Sequence, residues 1–235
     1  MHYCGVVATQ GSLQLAMLEE VRTPEPPVRL SALFYEPGSA AEVARELHTL
    51  EDVVVGVGAP LVGPRNGRPG RDCDALLLRR GVAPVAPTQE SRLLADLLRD
   101  LPTFAPGGEE QTGAVDEGAY QGFPVFETNA DGVFYALQGR RLPAKRHPYG
   151  LWKRIEELAG DHVTDDGGDL WHRRIEEIDA IVCALCAHRY AVGHACWVGD
   201  PDEGVIVLPG SRLPDRFSGE GVIPPVPRLP LPGRG

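Results

Sequence analysis

The sequence predicts a single α/β domain, and three observations support this. An apolar hairpin pattern opens the chain, Val53–Val57 is a continuous apolar run, and helical segments then alternate with short strand candidates. A short apolar run that ends at glycine and proline is typical of a central strand covered on both faces. Because no repeat or interior linker interrupts this order, we expect one domain over residues 1–209.

The first 50 residues predict three strands and a helix. Residues 3–20 indicate a hairpin, because apolar residues flank the turn-forming Gln10-Gly11-Ser12 and then alternate with polar ones. A third strand is expected over residues 28–35, after a proline-rich turn. Residues 39–50 have helical spacing, with Ser39 as the expected N-cap.

The remaining elements are shorter, and the chain ends in a proline-rich segment. Strands are predicted over residues 123–128 and 204–208. Helices are predicted over residues 74–80, 90–101, 133–137, 149–159 and 171–190. The composition of residues 102–121 predicts a loop. Repeated prolines predict that residues 210–235 form an extended or disordered arm.

Composition indicates a cytoplasmic protein that does not enter membranes. No charged leader precedes an apolar stretch, no apolar run approaches 18 residues, and five cysteines suit reduced thiols. The net charge of −10 opposes nucleic-acid binding at long range. However, 11 of the 23 basic residues fall in two windows, residues 65–80 and 140–154, and each is either a solvated face or a local phosphate-binding patch.

Asp179 is the most informative acidic residue of the chain. It stands at the head of the apolar segment 178–187, and Glu176 and Glu177 lie just upstream. Burying an ionised carboxylate is costly unless a metal ion, a cation or hydrogen bonds compensate it. The sequence leaves two interpretations open: an acidic helix start that favours the helix dipole, or a metal ligand.

Several spaced motifs together resemble a known family. They are Gly58-Ala59-Pro60-Leu61, Arg71-Asp72-Cys73-Asp74 with Leu78-Arg79-Arg80-Gly81, Val125-Phe126-Glu127-Thr128, and Ile178-Asp179-Ala180. The chain from Tyr3 to Pro209 resembles the domain of unknown function 429 family, predicted nucleases of the ribonuclease H-like superfamily. The resemblance implies a mixed five-stranded sheet, led by three antiparallel strands and flanked by helices. It also implies metal-assisted phosphodiester hydrolysis with Mg²⁺ or Mn²⁺.

The resemblance also implies which residues form the site. Glu127 and Asp179 match two acidic positions of the family and are the expected catalytic and metal-binding residues. The other two acidic positions hold Val7 and Gly58, which offer no side-chain oxygen. Either other acids substitute, with candidates Asp72, Asp74 and Glu177, or the site no longer performs this chemistry.

The sequence is therefore compatible with two functions. The first is a divalent-metal nuclease, in which Lys145, Arg146 and Arg154 hold substrate phosphates. The second is a catalytically degenerate protein of the same fold that binds nucleic acid through the basic windows, or a protein partner through the proline-rich arm. Whether the chain is an enzyme stays open at this point.

Other chemistry-bearing residues are interpreted as structural. An array of cysteine and histidine residues has no common zinc spacing, and core packing is expected for its cysteines. Cys73 has no histidine nearby in sequence to activate it, and Trp152 and Trp171 are expected to be core anchors. The array consists of Cys183, Cys186, His188, His194 and Cys196.

Overall fold

The structure is a computed structural model. It describes residues 1–21, 29–34, 37–64, 68, 70–99, 112–114, 125–161, 163–165, 170–200 and 203–210. The predicted proline-rich arm lies outside the described residues apart from its first residue, so the division at residue 209 stays a prediction. Among the described helices, none combines the length and the apolar character that a membrane crossing requires.

Nine strands and six helices make up the described part of the chain. The strands are β1 His2–Ala8, β2 Leu13–Val21, β3 Arg29–Phe34, β4 Val53–Val57, β5 Thr112–Ala114, β6 Val125–Glu127, β7 Val163–Thr164, β8 Ala195–Asp200 and β9 Gly204–Pro209. The helices are α1 Ala40–Thr49, α2 Asp72–Arg79, α3 Gln89–Leu97, α4 Ala130–Gln138, α5 Pro148–Gly160 and α6 Ile175–Ala191.

All nine strands form one mixed sheet in the order β5-β8-β9-β6-β4-β1-β2-β3-β7. The first three strands pair antiparallel, whereas β4 and β6 continue the sheet parallel to β1. The central strands, β3-β2-β1-β4-β6, form the mixed sheet led by three antiparallel strands that the family resemblance implies. The α/β fold class is confirmed, and the five expected strands form the centre of a wider sheet.

The hairpin illustrates how local sequence fixes the sheet register. The backbone N–H of Thr9 donates to the carbonyl of Ser12 at 2.9 Å, and Gly11 takes the left-handed φ of 80° that the turn requires. The turn aligns the two strands so that Val7 lies opposite Gln14. The hairpin and its turn, both predicted from sequence, are confirmed.

Helix α6 lies against one face of the sheet, across β1, β2 and β4. At Gly5 an added Cβ would stand 1.9 Å from the Ala180 carbonyl oxygen, and at Gly56 it would stand 2.7 Å from the Cys183 carbonyl oxygen. Glycine at both positions therefore permits the close approach of the helix. Helices α1 and α3 pack together and cover the other face, where Val55 lies in their apolar cluster.

Two expectations about α6 are wrong. The helix begins at Ile175 after a short 3₁₀ turn, Leu170–His172, so Asp179 lies in its second turn and is not a helix-start charge. Trp171 in that turn is 50% exposed and is not a core anchor. Glu177 instead caps the helix start, because its carboxylate accepts a hydrogen bond from the backbone N–H of Arg174 at 2.7 Å.

The later strands differ most from the sequence expectation. Strand β8 is not predicted, although it pairs along its whole length with β9. Residues 112–114 of the predicted loop form strand β5 against β8, and the rest of 102–121 lies outside the described residues. Cys183, Cys186 and Cys196 are buried in the core, as their apolar surroundings predict.

Candidate functional site

The two family positions that lack an acid lie side by side and are closed by apolar atoms. Val6 pairs with Val57 in parallel register, so Val7 and Gly58 follow them on neighbouring strands. A Cβ added at Gly58 would stand 2.8 Å from Val7 Cγ1 and 3.0 Å from Cys183 Sγ. The space that a carboxylate at residue 58 needs is therefore filled by a valine and a cysteine side chain.

Asp179 lies one turn before Cys183 on α6, on the same side of the sheet. Its side chain is buried, and its Oδ2 accepts a hydrogen bond from Lys145 Nζ. Its Oδ1 is buried and has no hydrogen-bond partner among the described residues. Burial raises the pKa of Asp179 to about 6, against the lowering effect of the Lys145 ammonium. An internal cation thus compensates this carboxylate.

Asp131 is a second carboxylate of this cluster, and sequence reasoning missed it. It lies in the first turn of α4, and its Oδ2 is 3.8 Å from Lys145 Nζ. Its Oδ1 accepts from Arg154 Nη2 at 2.7 Å. Asp131 and Asp179 therefore share the ammonium of Lys145, although 48 positions separate them in sequence. Only the packing of α4 beside α6 brings them together.

The three residues expected to hold phosphates have different roles. Arg154 is 2% exposed and donates to the carbonyl oxygens of Pro143 and Gly150 at 3.0 and 2.7 Å, in addition to Asp131. This guanidinium ties the loop before α5 to α4, and its burial leaves it inaccessible to a substrate. Lys145 is engaged by the two carboxylates, whereas Arg146 is exposed.

Glu127 points to the opposite side of the sheet. The ring of its neighbour Phe126 packs against Tyr190 of α6, with centroids 4.9 Å apart. Because successive side chains of a strand alternate between faces, Glu127 points toward the layer of α1 and α3. The structure does not bring Glu127 and Asp179 into one site, because β6 directs Phe126 rather than Glu127 toward α6.

Arg71 occupies the site around Glu127. Its Nη1 and Nη2 donate to Glu127 Oε2 and Oε1 at 2.6 and 2.5 Å, and its Nε and Nη2 donate to Asp74 at 2.9 and 3.0 Å. The backbone N–H of Leu61 gives Glu127 a further bond at 3.0 Å. Two-bond pairing of a guanidinium with a carboxylate is strong and directional. The sequence places Arg71 in a basic window and in a family motif, but it does not indicate that Arg71 pairs with Glu127.

Burial and pairing act against each other on the ionisation of this pair. Burial raises the pKa of Glu127, and the bonds from Arg71 offset this only in part. Burial alone would lower the pKa of Arg71, but the bonds to Glu127 and Asp74 raise it above its ordinary value. We therefore treat Arg71 as a permanent cation that neutralises the buried acid.

A divalent metal ion does not fit the donor set around Glu127. Ligand atoms of Cys73, Asp74 and Glu127 lie within 4.8 Å of one another, the only such group of three among the described residues. However, the Arg71 guanidinium bonds to both carboxylates. Burial also raises the pKa of the Cys73 thiol to about 12, so it stays protonated at neutral pH. Mg²⁺ and Mn²⁺ prefer free oxygen ligands, which this cluster does not provide.

A pair of metal ions, which two-metal phosphodiester hydrolysis would require, does not fit the Asp179 cluster either. Val7 and Gly58 supply no oxygen, and the two carboxylates that remain, Asp131 and Asp179, already share the Lys145 ammonium. Two metal ions held close together need several anionic ligands to overcome their dehydration. The site therefore keeps its position in the fold without the ligand set for a two-metal centre.

The fold is similar to a RuvC structure from Thermus thermophilus, with 14% sequence identity and a TM-score of 0.45, over 82% of this chain and 95% of that chain. No curated protein matches the sequence. The model of a family described as "Protein of unknown function (DUF429)" matches residues 4–203. The chain therefore belongs to the DUF429 family.

Proposed function

We propose that this chain is a ribonuclease H-like protein that binds nucleic-acid backbones and does not cleave them by a two-metal mechanism. The observation that carries this proposal is the closure of the metal position by Val7 and Cys183 around Gly58. The charge at the site supports it, because Lys145 pairs with Asp179 and Arg71 pairs with Glu127. Side-chain ammonium and guanidinium groups thus compensate both family acids.

The binding surface is the loop between α4 and α5. Arg140, Arg141 and Arg146 are exposed in this loop, and no acid lies between residues 140 and 154. Exposed arginines contact phosphate oxygens independently of base sequence, and each contact releases counterions. A local basic loop of this kind provides phosphate contacts although the whole chain carries a charge of −10.

Fluorescence anisotropy with labelled single-stranded and duplex DNA and RNA, over a series of salt concentrations, tests this proposal. We expect salt-sensitive binding that weakens when Arg141 and Arg146 are both changed to alanine. The change should lower the slope of log affinity against log salt by about 0.9 per lost duplex contact. Arg45→Ala on α1 is the matched control, because Arg45 is exposed in a different layer of the fold.

The binding proposal fails if no nucleic acid binds in a salt-dependent way. It also fails if Arg45→Ala weakens binding as much as the loop variant does. Asp179→Asn should leave binding nearly unchanged, because the carboxylate is buried and paired within the protein.

A second candidate, metal-assisted phosphodiester hydrolysis, is favoured by one specific observation. The Oδ1 atom of Asp179 is buried and lacks a hydrogen-bond partner among the described residues. Asp131 lies near the same Lys145 ammonium that bonds to Asp179. A divalent ion bound there would supply Lewis-acid activation of a phosphodiester. This candidate predicts Mn²⁺- or Mg²⁺-dependent cleavage of DNA or RNA that Asp179→Asn abolishes. Absence of cleavage, with no metal-induced rise in melting temperature, would reject it.

A protein partner for the proline-rich arm remains a prediction from sequence. Residues 211–235 lie outside the described part of the chain. Truncation after Gly210, followed by the same anisotropy titration, tests whether the arm contributes to nucleic-acid binding. An unchanged titration would assign the binding to residues 1–210 alone.

A further inference from the structure

We infer that Lys145 is a built-in cation that compensates the charges of Asp131 and Asp179, and that its removal turns this pair into a binding site for a single divalent cation. The inference goes beyond the proposed function and does not depend on nucleic-acid binding. It concerns Asp131, which no family position assigns, together with the lysine that lies between the two acids.

Three separate elements bring the charged groups together. Asp131 lies in the first turn of α4, Asp179 in the second turn of α6, and Lys145 in the loop before α5. The Oδ2 atoms of both acids face the Lys145 ammonium, which bonds to Asp179 and lies 3.8 Å from Asp131. The carboxylates are fixed by helices, so their convergence does not depend on the lysine side chain.

A second observation concerns the other carboxylate oxygen of Asp179. Oδ1 of Asp179 is buried and has no hydrogen-bond partner among the described residues. A buried carboxylate oxygen without a donor is costly, because nothing replaces the water it has lost. A small hydrated cation beside Asp179 would compensate this oxygen directly or through its bound water.

Charge balance explains why the native chain keeps the lysine. Asp131 and Asp179 carry two negative charges, and Lys145 and Arg154 carry two positive charges, with Arg154 bonded to Asp131. The cluster is therefore neutral when all four groups are ionised. Loss of Lys145 leaves a net charge of −1 around the buried Asp179, which attracts a cation from solution. A tethered ammonium also avoids the dehydration that a divalent ion requires.

The test is a Mn²⁺ titration of the full chain, followed by calorimetry and by the electron paramagnetic resonance signal of free Mn²⁺. We compare the native protein with K145M and with the double variant K145M/D179N. The matched control is R146M, which removes the neighbouring exposed cation and leaves the ion cluster intact. We expect K145M to bind a single Mn²⁺ at least about tenfold more tightly than the native protein, a difference of about 1.4 kcal/mol.

Thermal unfolding gives a readout that is independent of any enzymatic activity. Mn²⁺ should raise the melting temperature of K145M and leave the native protein, R146M and K145M/D179N nearly unchanged. K145Q is titrated in parallel, because a glutamine amide removes the charge and keeps a hydrogen-bond donor at this position. Recovery of folded K145M only in the presence of Mn²⁺ would also support the inference.

Three results would overturn the inference. The first is equal Mn²⁺ affinity of K145M, R146M and the native protein, which would show that Lys145 does not exclude a divalent cation from Asp131 and Asp179. The second is Mn²⁺ binding by K145M that survives in K145M/D179N. The third is failure of both K145M and K145Q to bind Mn²⁺, including failure of both to fold with or without the metal.

Discussion

Substitution of Gly58 by alanine tests whether the space beside Val7 and Cys183 is closed. The added Cβ would stand 2.8 Å from Val7 Cγ1, 3.0 Å from Cys183 Sγ and 3.4 Å from the Val6 carbonyl oxygen. Real Cβ contacts are essentially never under 3.0 Å, so Val7 or helix α6 must shift. The backbone φ of Gly58 is not in the left-handed region, so this contact strain is the dominant cost.

The magnitude follows from two opposing effects. Overpacking of a well-packed core costs about 1–3 kcal/mol. Replacing glycine stabilises by about 0.4–1 kcal/mol, because the unfolded chain loses conformational freedom. We therefore expect Gly58→Ala to lower the free energy of unfolding by about 1–2 kcal/mol. Gly58→Asp should cost more, because it also buries a carboxylate without a free cation beside it.

Urea denaturation of Gly58→Ala, Val7→Ala and the double variant gives the coupling between the two positions. The double variant should be more stable than the sum of the single changes by about 1 kcal/mol, because Val7→Ala removes the nearest contacting atom. Gly160→Ala is the control, since nothing lies within 4 Å of its added Cβ at the end of α5. If Gly58→Ala is as stable as Gly160→Ala, position 58 is open and the closure argument is wrong.

Two further predictions concern the paired charges. Arg71→Met should lower the free energy of unfolding by about 3–5 kcal/mol, because it leaves a buried carboxylate uncompensated, and Arg71→Lys should recover little of this without the two-bond fork. The exposed control Arg79→Met should change the free energy of unfolding by less than about 0.5 kcal/mol. Equal effects of Arg71→Met and Arg79→Met in urea denaturation would refute the buried pair. Burial lowers the pKa of His188, whose Nε2 lies 3.1 Å from Glu20. The neutral imidazole therefore contributes stability that falls as the pH drops below the ordinary histidine pKa of about 6.5. His188→Gln should therefore flatten the loss of unfolding free energy on acidification, by at most about 1.4 kcal/mol per pH unit, and an unchanged pH profile would contradict this.

The elements that sequence predicts well are those whose signals are local. The turn at Gly11 and the cap at Ser39 depend on residues within four positions of one another, and the structure has both. Strand β8 depends instead on pairing with β9 and β5, and β7 is only two residues long, so neither has a strong local signal. The sheet therefore has more strands than the sequence predicts.

The sequence predicts Glu127 and Asp179 as site residues, but it does not predict Asp131 or the geometry. The order of motifs along the chain identifies Glu127 and Asp179, yet it does not state which face of a strand each residue occupies. The alternation at Phe126 separates the two acids. The sequence also gives no sign of the ion pairs that these acids form, because the paired residues are distant in sequence. Arg71 is 56 positions from Glu127, and Lys145 is 34 positions from Asp179.

A crystal structure determined after soaking in Mn²⁺, with anomalous scattering, tests the central claim most directly. We expect that Lys145 Nζ stays bonded to Asp179, that Arg71 stays bonded to Glu127, and that no anomalous peak lies near either acid. A peak about 2.1 Å from an oxygen of Asp179 or Glu127 in the native protein, with its lysine or arginine displaced, would contradict the account.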